Sequence, residues 1–405
     1  MKIPHDKFCI LPWVSLEATP VGTVHTCCLN EMDIVDDTGK PFVLSEANDL
    51  AKIQSSNCMQ AMRQEFLDGK QPKSCNKCWN EEDAGRTSKR MHTLKRLDHM
   101  IADTEWTADA KTLMFLDLKL GNICNLKCRI CGSWSSSTFA VEELEFVPIA
   151  HKKTSHHYQM IKQGAWARDN QDLWASIDTI ADQIRYLEFT GGEPFMIKEH
   201  FQFLETIVDK GIAGQVEIHY NTNGTQFPDN AENIWQHFKC VEIAFSIDDV
   251  EDRFEYQRSN AVWQKVEHNI ARFLAMRDRN PNIRLQVCIT VNAFNIMYLE
   301  GVANWADKQG FDFIYWNMLH QPSHLSIASL PDTVKQQVKN TLDNISVSPS
   351  NAEEIKNIVS FMLNGKSTDG NELRANIELL DRRRGENLRT FHCELAKAIG
   401  YNGPA

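Results

Sequence analysis

The segment 121-GNICNLKCRICG-132 sets Cys124, Cys128 and Cys131 at CxxxCxxC spacing. A closed structural metal site normally takes four protein ligands, so three in so short a span read as a site left open. Cysteine thiolates hold iron–sulfur clusters, and a [4Fe–4S] cubane has four irons. Three cysteines serve three of them and leave the fourth free to bind something else. The alternatives are a zinc site completed by a distant residue and core cysteines that fall close by chance. Zinc sites more often present CxxC pairs.

A second set lies upstream. Cys9 and Cys27 flank Gly22 in a Cx12Gx4C pattern, and Cys75 and Cys78 form CxxC. Four thiolates on two hairpin-like segments close a site completely, and zinc and an iron–sulfur cluster both fit CxxC pairs. Cys28 is an alternative to Cys27, and Cys58 is an unassigned candidate. Cys240, Cys288 and Cys393 stand alone and read as small buried hydrophobes.

These residues need a frame. The apolar runs 113-LMFLDLKL, 186-YLEFT, 215-QVEIHYN, 241-VEIAFSI, 283-IRLQVCITV and 311-FDFIYWN alternate with amphipathic stretches such as 197–210 and 263–280. Strands alternating with helices predict βαβ crossovers and a parallel sheet, either an open wound sheet or a partial barrel. Chemistry then belongs at the carboxyl ends of the strands. The cysteine trio follows the first run, and Gly191, Gly192, Glu193 and Pro194 follow the second. Asn221, Asn223 and Gly224 follow the third, Ser246 and Asp248 the fourth, Thr290 and Asn292 the fifth. Asn221 and Asn223 either line a site or make the turn. Trp316, Asn317 and His320 follow the sixth run, with Trp316 read as core.

The span from Trp134 to Arg185 exceeds one crossover. It predicts a helix near Ser135–Glu145, a polar loop around 148-PIAHKKTSHH and a helix near Leu173–Arg185. The βα rhythm is absent before about residue 110, and helices are expected beyond about residue 325. Three domains follow: 1–110, 111–320 and 321–405.

The chain has 405 residues, 42% of them hydrophobic, and a net charge of −11 from 43 Lys+Arg against 54 Asp+Glu. An acidic chain is poorly suited to neutralising phosphates, so nucleic acid is not an expected partner. No apolar run reaches the length of a membrane span, and the N-terminus lacks a signal-peptide pattern, so a cytoplasmic location is expected. Twelve cysteines in that compartment point to metal or redox chemistry rather than to disulfides.

The segments 117-DLKLGNICNLKCRICG, 187-LEFTGGEPF, 220-YNTNGT, 243-IAFSIDD and 289-ITVNAFN resemble, in order, the motifs of the radical S-adenosylmethionine (radical SAM) superfamily. One departure is Ile130, where many members carry an aromatic residue. The resemblance implies an α/β fold built on a partial (β/α)6 TIM-like barrel. It implies S-adenosylmethionine chelated at the open iron of a [4Fe–4S] cluster held by Cys124, Cys128 and Cys131. Reductive cleavage there yields a 5′-deoxyadenosyl radical that abstracts a substrate hydrogen. Gly191, Gly192, Glu193 and Pro194 match the family's GGEP motif, which binds the methionyl ammonium. Ser246 and Asp248 match the SxD pattern that meets the ribose or methionine. Arg258 matches an arginine that pairs with the cofactor carboxylate, and Asn221, Asn223 and Thr290 are further cofactor contacts.

The Cx12Gx4C opening is similar to that of SPASM/twitch auxiliary-cluster domains. Here it precedes the barrel and lacks the later cysteines, which implies a single auxiliary [4Fe–4S] cluster on Cys9, Cys27, Cys75 and Cys78. Full ligation would make it an electron relay, fed by a donor such as flavodoxin or ferredoxin. Such domains often accompany peptide-modifying enzymes, so a peptide or protein side chain is the expected substrate. A small metabolite, sugar or nucleotide is the alternative. A non-catalytic iron–sulfur electron carrier is a remote third, because a carrier has no use for GGEP.

Overall fold

The structure, a computed structural model, describes residues 3–46, 49–83, 87–101, 105–109, 113–168 and 170–403. The expected boundary at 110/111 falls outside the described residues. The strands are β1 (Ser15–Ala18), β2 (Val24–His25), β3 (Phe115–Lys119), β4 (Lys127–Cys128), β5 (Tyr186–Thr190), β6 (Glu217–Thr222), β7 (Cys240–Ser246), β8 (Arg258–Ser259), β9 (Ile283–Val291) and β10 (Phe313–Met318). Eight of them make a mostly parallel sheet, in an α/β fold.

The chain divides into two compact units. The first comprises Met1–Asn125, Ser133–Asn221 and Pro228–Glu242; the second comprises Leu126–Gly132, Thr222–Phe227 and Ile243–Ala405.

In the first unit the strands run in the order β6-β5-β3-β1-β2. All six sequence-expected runs are strands, but β1 was not anticipated. It pairs parallel with β3, from Ser15 opposite Phe115 to Ala18 opposite Leu118, and turns into antiparallel β2. Four residues are too few to display a period, which is why SLEA was not legible as a strand. Around it the rings of Phe8, Trp13 and Trp106 pack tilted or edge-to-face, with centroids 4.7–5.6 Å apart, in a core that includes Phe66 and Trp79. The helix Glu199–Asp209 buries His200, Phe203, Leu204 and Ile207, the spacing of one helical face.

The 134–185 span differs from expectation in detail. The first helix is Ser137–Glu145, capped by Ser136. The stretch read as a loop is a 3-10 turn, Ile149–Thr154, and then a helix, His156–Gln163, started by the Ser155 side chain accepting from the Tyr158 N–H. The last helix ends at Asp178, and Ala181–Gln183 is a separate 3-10 turn.

In the second unit β7, β9 and β10 lie side by side, with β10 parallel to β9. The helix Trp263–Arg279 buries Val266, Ile270 and Phe273 on one face. The helices Asp332–Leu342, Pro349–Asn364, Asn371–Arg384, Leu388–Phe391 and Cys393–Ala398 form the C-terminal part, as expected. Among the described residues no helix is long and apolar enough to cross a membrane.

Candidate functional site

The first unit holds the upstream cysteines. Cys9 precedes the short helix Leu11–Val14, and Cys27 follows β2. Cys75 ends a 3-10 turn and Cys78 lies in the helix Asn76–Asp83. All four line one cavity, together with Phe66, Trp79 and Arg90. The hairpin that carries Cys27 turns through Gly22, whose φ of +84° is the left-handed region that suits glycine. That is a physical reason for the glycine of Cx12Gx4C. Arg90 ties the segment before Cys9 to the helix that carries Cys78: it grips Glu82 with two nitrogens at 2.9 and 2.6 Å and donates to the carbonyls of Asp6 and Phe8 at 2.8 Å. Burial pushes every thiol up, Cys27 to about 12 and Cys75 to about 11; neighbouring sulfurs add to the rise at Cys9, Cys27 and Cys75, and the Glu81 and Glu82 carboxylates at Cys78. Such thiols stay protonated unless a metal replaces the proton, and among the described residues no three His, Cys, Asp or Glu side chains converge closely enough to hold a single metal ion.

Cys27 and Cys28 differ in their surroundings. Cys27 faces the cavity; Cys28 does not line it and lies near Lys89, Asp117 and Lys119. Cys58, on the helix Asn57–Leu67, does not line it either.

The downstream motif is divided between the units. In the first, the backbone N–H of Cys124 donates to Ser137 Oγ at 3.2 Å. Asn122 holds the loop by donating to the carbonyls of Ser133 and Met160 at 2.8 and 3.1 Å. The GGEP turn packs directly on this loop, with Glu193 N–H donating to Ile123 O at 2.8 Å. Gly192 has a φ of +46°, and a Cβ there would stand 2.3 Å from Ile123 O, so only glycine fits. Glu193 is fully buried and accepts from the Phe195 N–H at 3.2 Å, capping the turn that Pro194 opens. Asn221 lies half-buried near the end of β6.

In the second unit Cys128 sits on β4, paired antiparallel with β8 so that Cys128 is opposite Arg258. Arg258 is buried. It donates to Asp248 Oδ2 at 3.1 and 2.6 Å, and its Nη1 lies 3.7 Å from Cys128 Sγ. A hydrogen bond with Cys131 and the Arg258 charge, working against burial, lower the Cys128 thiol to about 7. Cys128 is therefore a ready thiolate donor. Asp248 spends its other oxygen on the Thr290 N–H at 2.9 Å. The expected cofactor contacts Asp248 and Arg258 are thus partners of each other, because two buried charges need pairing. Asn223 accepts from Thr225 and makes the turn, and Asn292 does the same for Phe294. Ser246 is half-buried at the end of β7.

Sequence reasoning missed a clamp on this loop. Arg129, between Cys128 and Cys131, is fully buried. Its Nη2 donates to Asp381 Oδ1 at 2.6 Å, Nε donates to Tyr256 O at 3.0 Å, and the guanidinium lies 3.7 Å from the Tyr256 ring centroid. Asp381 also accepts from the hydroxyls of Tyr256 and Tyr401 and from the Leu388 N–H. An aspartate 252 residues from its arginine leaves no local signal. Two further readings change: Cys393 is exposed rather than buried, and Cys240 and Cys288 are half-buried. Trp316 is core as expected, donating to Asn351 Oδ1 at 3.2 Å, while His320 is exposed.

Residues 118–305 match the family model described as the Radical SAM superfamily. The match covers 188 of the 405 residues. The family implies S-adenosylmethionine and a [4Fe–4S] cluster. No curated protein matches the sequence significantly. Among solved structures, "Native anSMEcpe with bound AdoMet" is similar at 17% identity over 67% of each chain, with a TM-score of 0.38. "Native anSMEcpe with bound AdoMet and Cp18Cys peptide" is similar at 15% identity, over 57% of this chain and 58% of that one, with a TM-score of 0.36. "Structure of TYW1 with a lysine-pyruvate adduct bound" gives 9% identity over 58% and 72%, with a TM-score of 0.29. This chain spans less than two thirds of the peptide-bound structure, and these likenesses are too slight to place any residue.

Proposed function

We propose that the chain is a radical S-adenosylmethionine enzyme with two [4Fe–4S] clusters that modifies a peptide or protein side chain. The observation that carries the reading is the CxxxCxxC loop inside the Radical SAM domain, with Cys128 poised as a thiolate beside Arg258. Cys124, Cys128 and Cys131 hold the first cluster. Bound there, it and S-adenosylmethionine supply a 5′-deoxyadenosyl radical that takes a hydrogen atom from the substrate.

The chain's own residues bind and orient. Gly191, Gly192, Glu193 and Pro194 receive the methionyl end, and the close approach of Gly192 to Ile123 ties that turn to the cysteine loop. Ser246, Asp248, Arg258, Asn221, Asn223 and Thr290 complete the cofactor's surroundings. The Arg258 charge offsets the negative charge that gathers at Cys128.

Cys9, Cys27, Cys75 and Cys78 hold the second cluster. Four thiols set around a cavity, rather than around a point, favour a polynuclear cluster over a single zinc ion. Held by these four residues, such a cluster would serve as a relay for electrons from a flavodoxin- or ferredoxin-type donor. Residues 1–110 make a twitch-like domain, 111–320 the partial barrel and 321–405 a helical extension, in a cytoplasmic enzyme. The link between such domains and peptide-modifying enzymes favours the peptide substrate.

Anaerobic incubation with dithionite and S-adenosylmethionine tests the chemistry: 5′-deoxyadenosine is expected, and its absence overturns the reading. Deuterium passing into 5′-deoxyadenosine from a side-chain-labelled peptide supports the substrate class. Transfer only from a labelled metabolite overturns that part alone.

A further inference from the structure

One face of the sheet in the first unit carries charge where apolar residues are the norm. The register sets His25 opposite Glu17, Glu17 opposite Asp117, Asp117 opposite Glu188 and Glu188 opposite His219. Five strands therefore present one unbroken row of ionisable side chains. Alternation places Lys119, two residues beyond Asp117, on the same face, while Leu116 and Leu118 face the other way. Asp117 and Glu17 are each 2% exposed.

Nearly every member of the row has a partner. Glu17 pairs with Lys119 and with His25 Nδ1, and His25 Nε2 pairs with Asp33 at 2.8 Å. Glu188 meets Lys89 at 3.5 Å, and His219 meets Glu242 at 2.7 Å. Asp117 has the most distant partner of the row. Its Oδ1 is buried with no hydrogen bond, and the nearest cation, Lys119 Nζ, stands 4.0 Å away. Carboxylates flank it in register on both sides. Ser15 Oγ and Thr190 Oγ1, on the same face two residues from Glu17 and Glu188, are also buried without partners. A buried carboxylate oxygen without a donor is costly, and so are buried hydroxyls in the same state. The side chains of Lys89 and Lys119, which flank the row, are each 25% exposed.

We infer that Asp117, with Ser15 and Thr190, forms a substrate subsite that takes a cationic hydrogen-bond donor, an ammonium or guanidinium group. The inference rests on the reading of the chain as a radical enzyme acting on a side chain, and it narrows that side chain to a basic one. A cation at Asp117 supplies the missing donor and relieves the repulsion from Glu17 and Glu188. Burial and those two carboxylates, opposed by Lys119 and Lys89, raise the Asp117 carboxyl to about 7. A proton and an entering cation therefore compete for Asp117 near neutrality. Cys28, near Lys89, Asp117 and Lys119, borders the same subsite, one residue from the proposed ligand Cys27.

The test is calorimetric titration of the full chain, with its metal reconstituted, using N-acetyl-argininamide and N-acetyl-lysinamide. The neutral isosteres N-acetyl-citrullinamide and N-acetyl-norleucinamide serve as controls. A charge-assisted bond predicts roughly tenfold or greater preference for a cationic probe over its isostere, with proton release read from the dependence of the enthalpy on buffer. The two cationic arms separate a guanidinium site from an ammonium site. Asp117→Asn is expected to bring cation and isostere within about twofold of each other. Equal binding of cation and isostere by the wild-type protein overturns the inference, as does an undiminished preference in Asp117→Asn. The wild-type comparison needs no variant to fold. Wild-type protein that releases 5′-deoxyadenosine yet shows no cation preference refutes this subsite alone, whereas failure to cleave S-adenosylmethionine refutes the parent reading.

Discussion

Single residues here are governed by what burial does to a polar atom. His200 is fully buried between Phe189 and Phe201, with Nδ1 2.5 Å from Ile197 O and Nε2 unpartnered. Burial lowers its pKa from 6.5 to about 3. Between those values the unfolded chain binds a proton that the folded chain does not. The neutral His200 therefore supports the fold above about pH 6.5, and that support is lost as pH falls toward 3, at about 1.4 kcal/mol per pH unit. Replacing His200 by Asn should shrink the fall in unfolding free energy between pH 6.5 and 5.5 by about 1 kcal/mol, read from urea titrations. An unchanged pH slope would refute the assignment. The same reasoning separates Cys128, lowered by Cys131 and Arg258, from the upstream thiols, which burial raises.

Elements matter by what they bring to a loop. The helix Asn371–Arg384 carries Asp381, and through it the C-terminal helices grip Arg129 inside the cysteine motif. Breaking a buried pair by removing one partner costs about 3–5 kcal/mol, because the other charge stays buried and unpaired. Asp381→Asn should therefore destabilise strongly. The double variant Asp381→Asn with Arg129→Met should cost less than the sum of the two single changes. Strict additivity of unfolding free energies would mean that the two side chains do not act together. Glu386, whose oxygens also take Arg129 and Ser259, is the reserve partner in Asp381→Asn.

For the whole molecule, the decisive quantity is iron per chain. Two cubane clusters predict about eight irons per polypeptide after anaerobic reconstitution. Replacing any one of Cys9, Cys27, Cys75 or Cys78 by Ala should lower that figure to about four. Cys28→Ala should leave it at about eight, because Cys28 points away from the cavity. A full complement of iron in Cys27→Ala, or its loss in Cys28→Ala, would reverse the assignment of the two cysteines.

The cysteine spacings, the glycine of GGEP, and six apolar runs broken by helical stretches were legible along the chain, because each is a local pattern whose chemistry depends on near neighbours. Helix limits in 134–185 and the strand β1 were not: capping by Ser155 and pairing with β3 operate outside any short periodic window. Direction and long-range pairing belonged to the tertiary structure alone. Folding turned Cys27 toward the cavity and Cys28 toward Lys89, joined Asp248 to Arg258 and Asp381 to Arg129, and aligned Glu17, Asp117 and Glu188 in one row. Each of those results depends on which groups lose water together, and the linear order of residues does not record that.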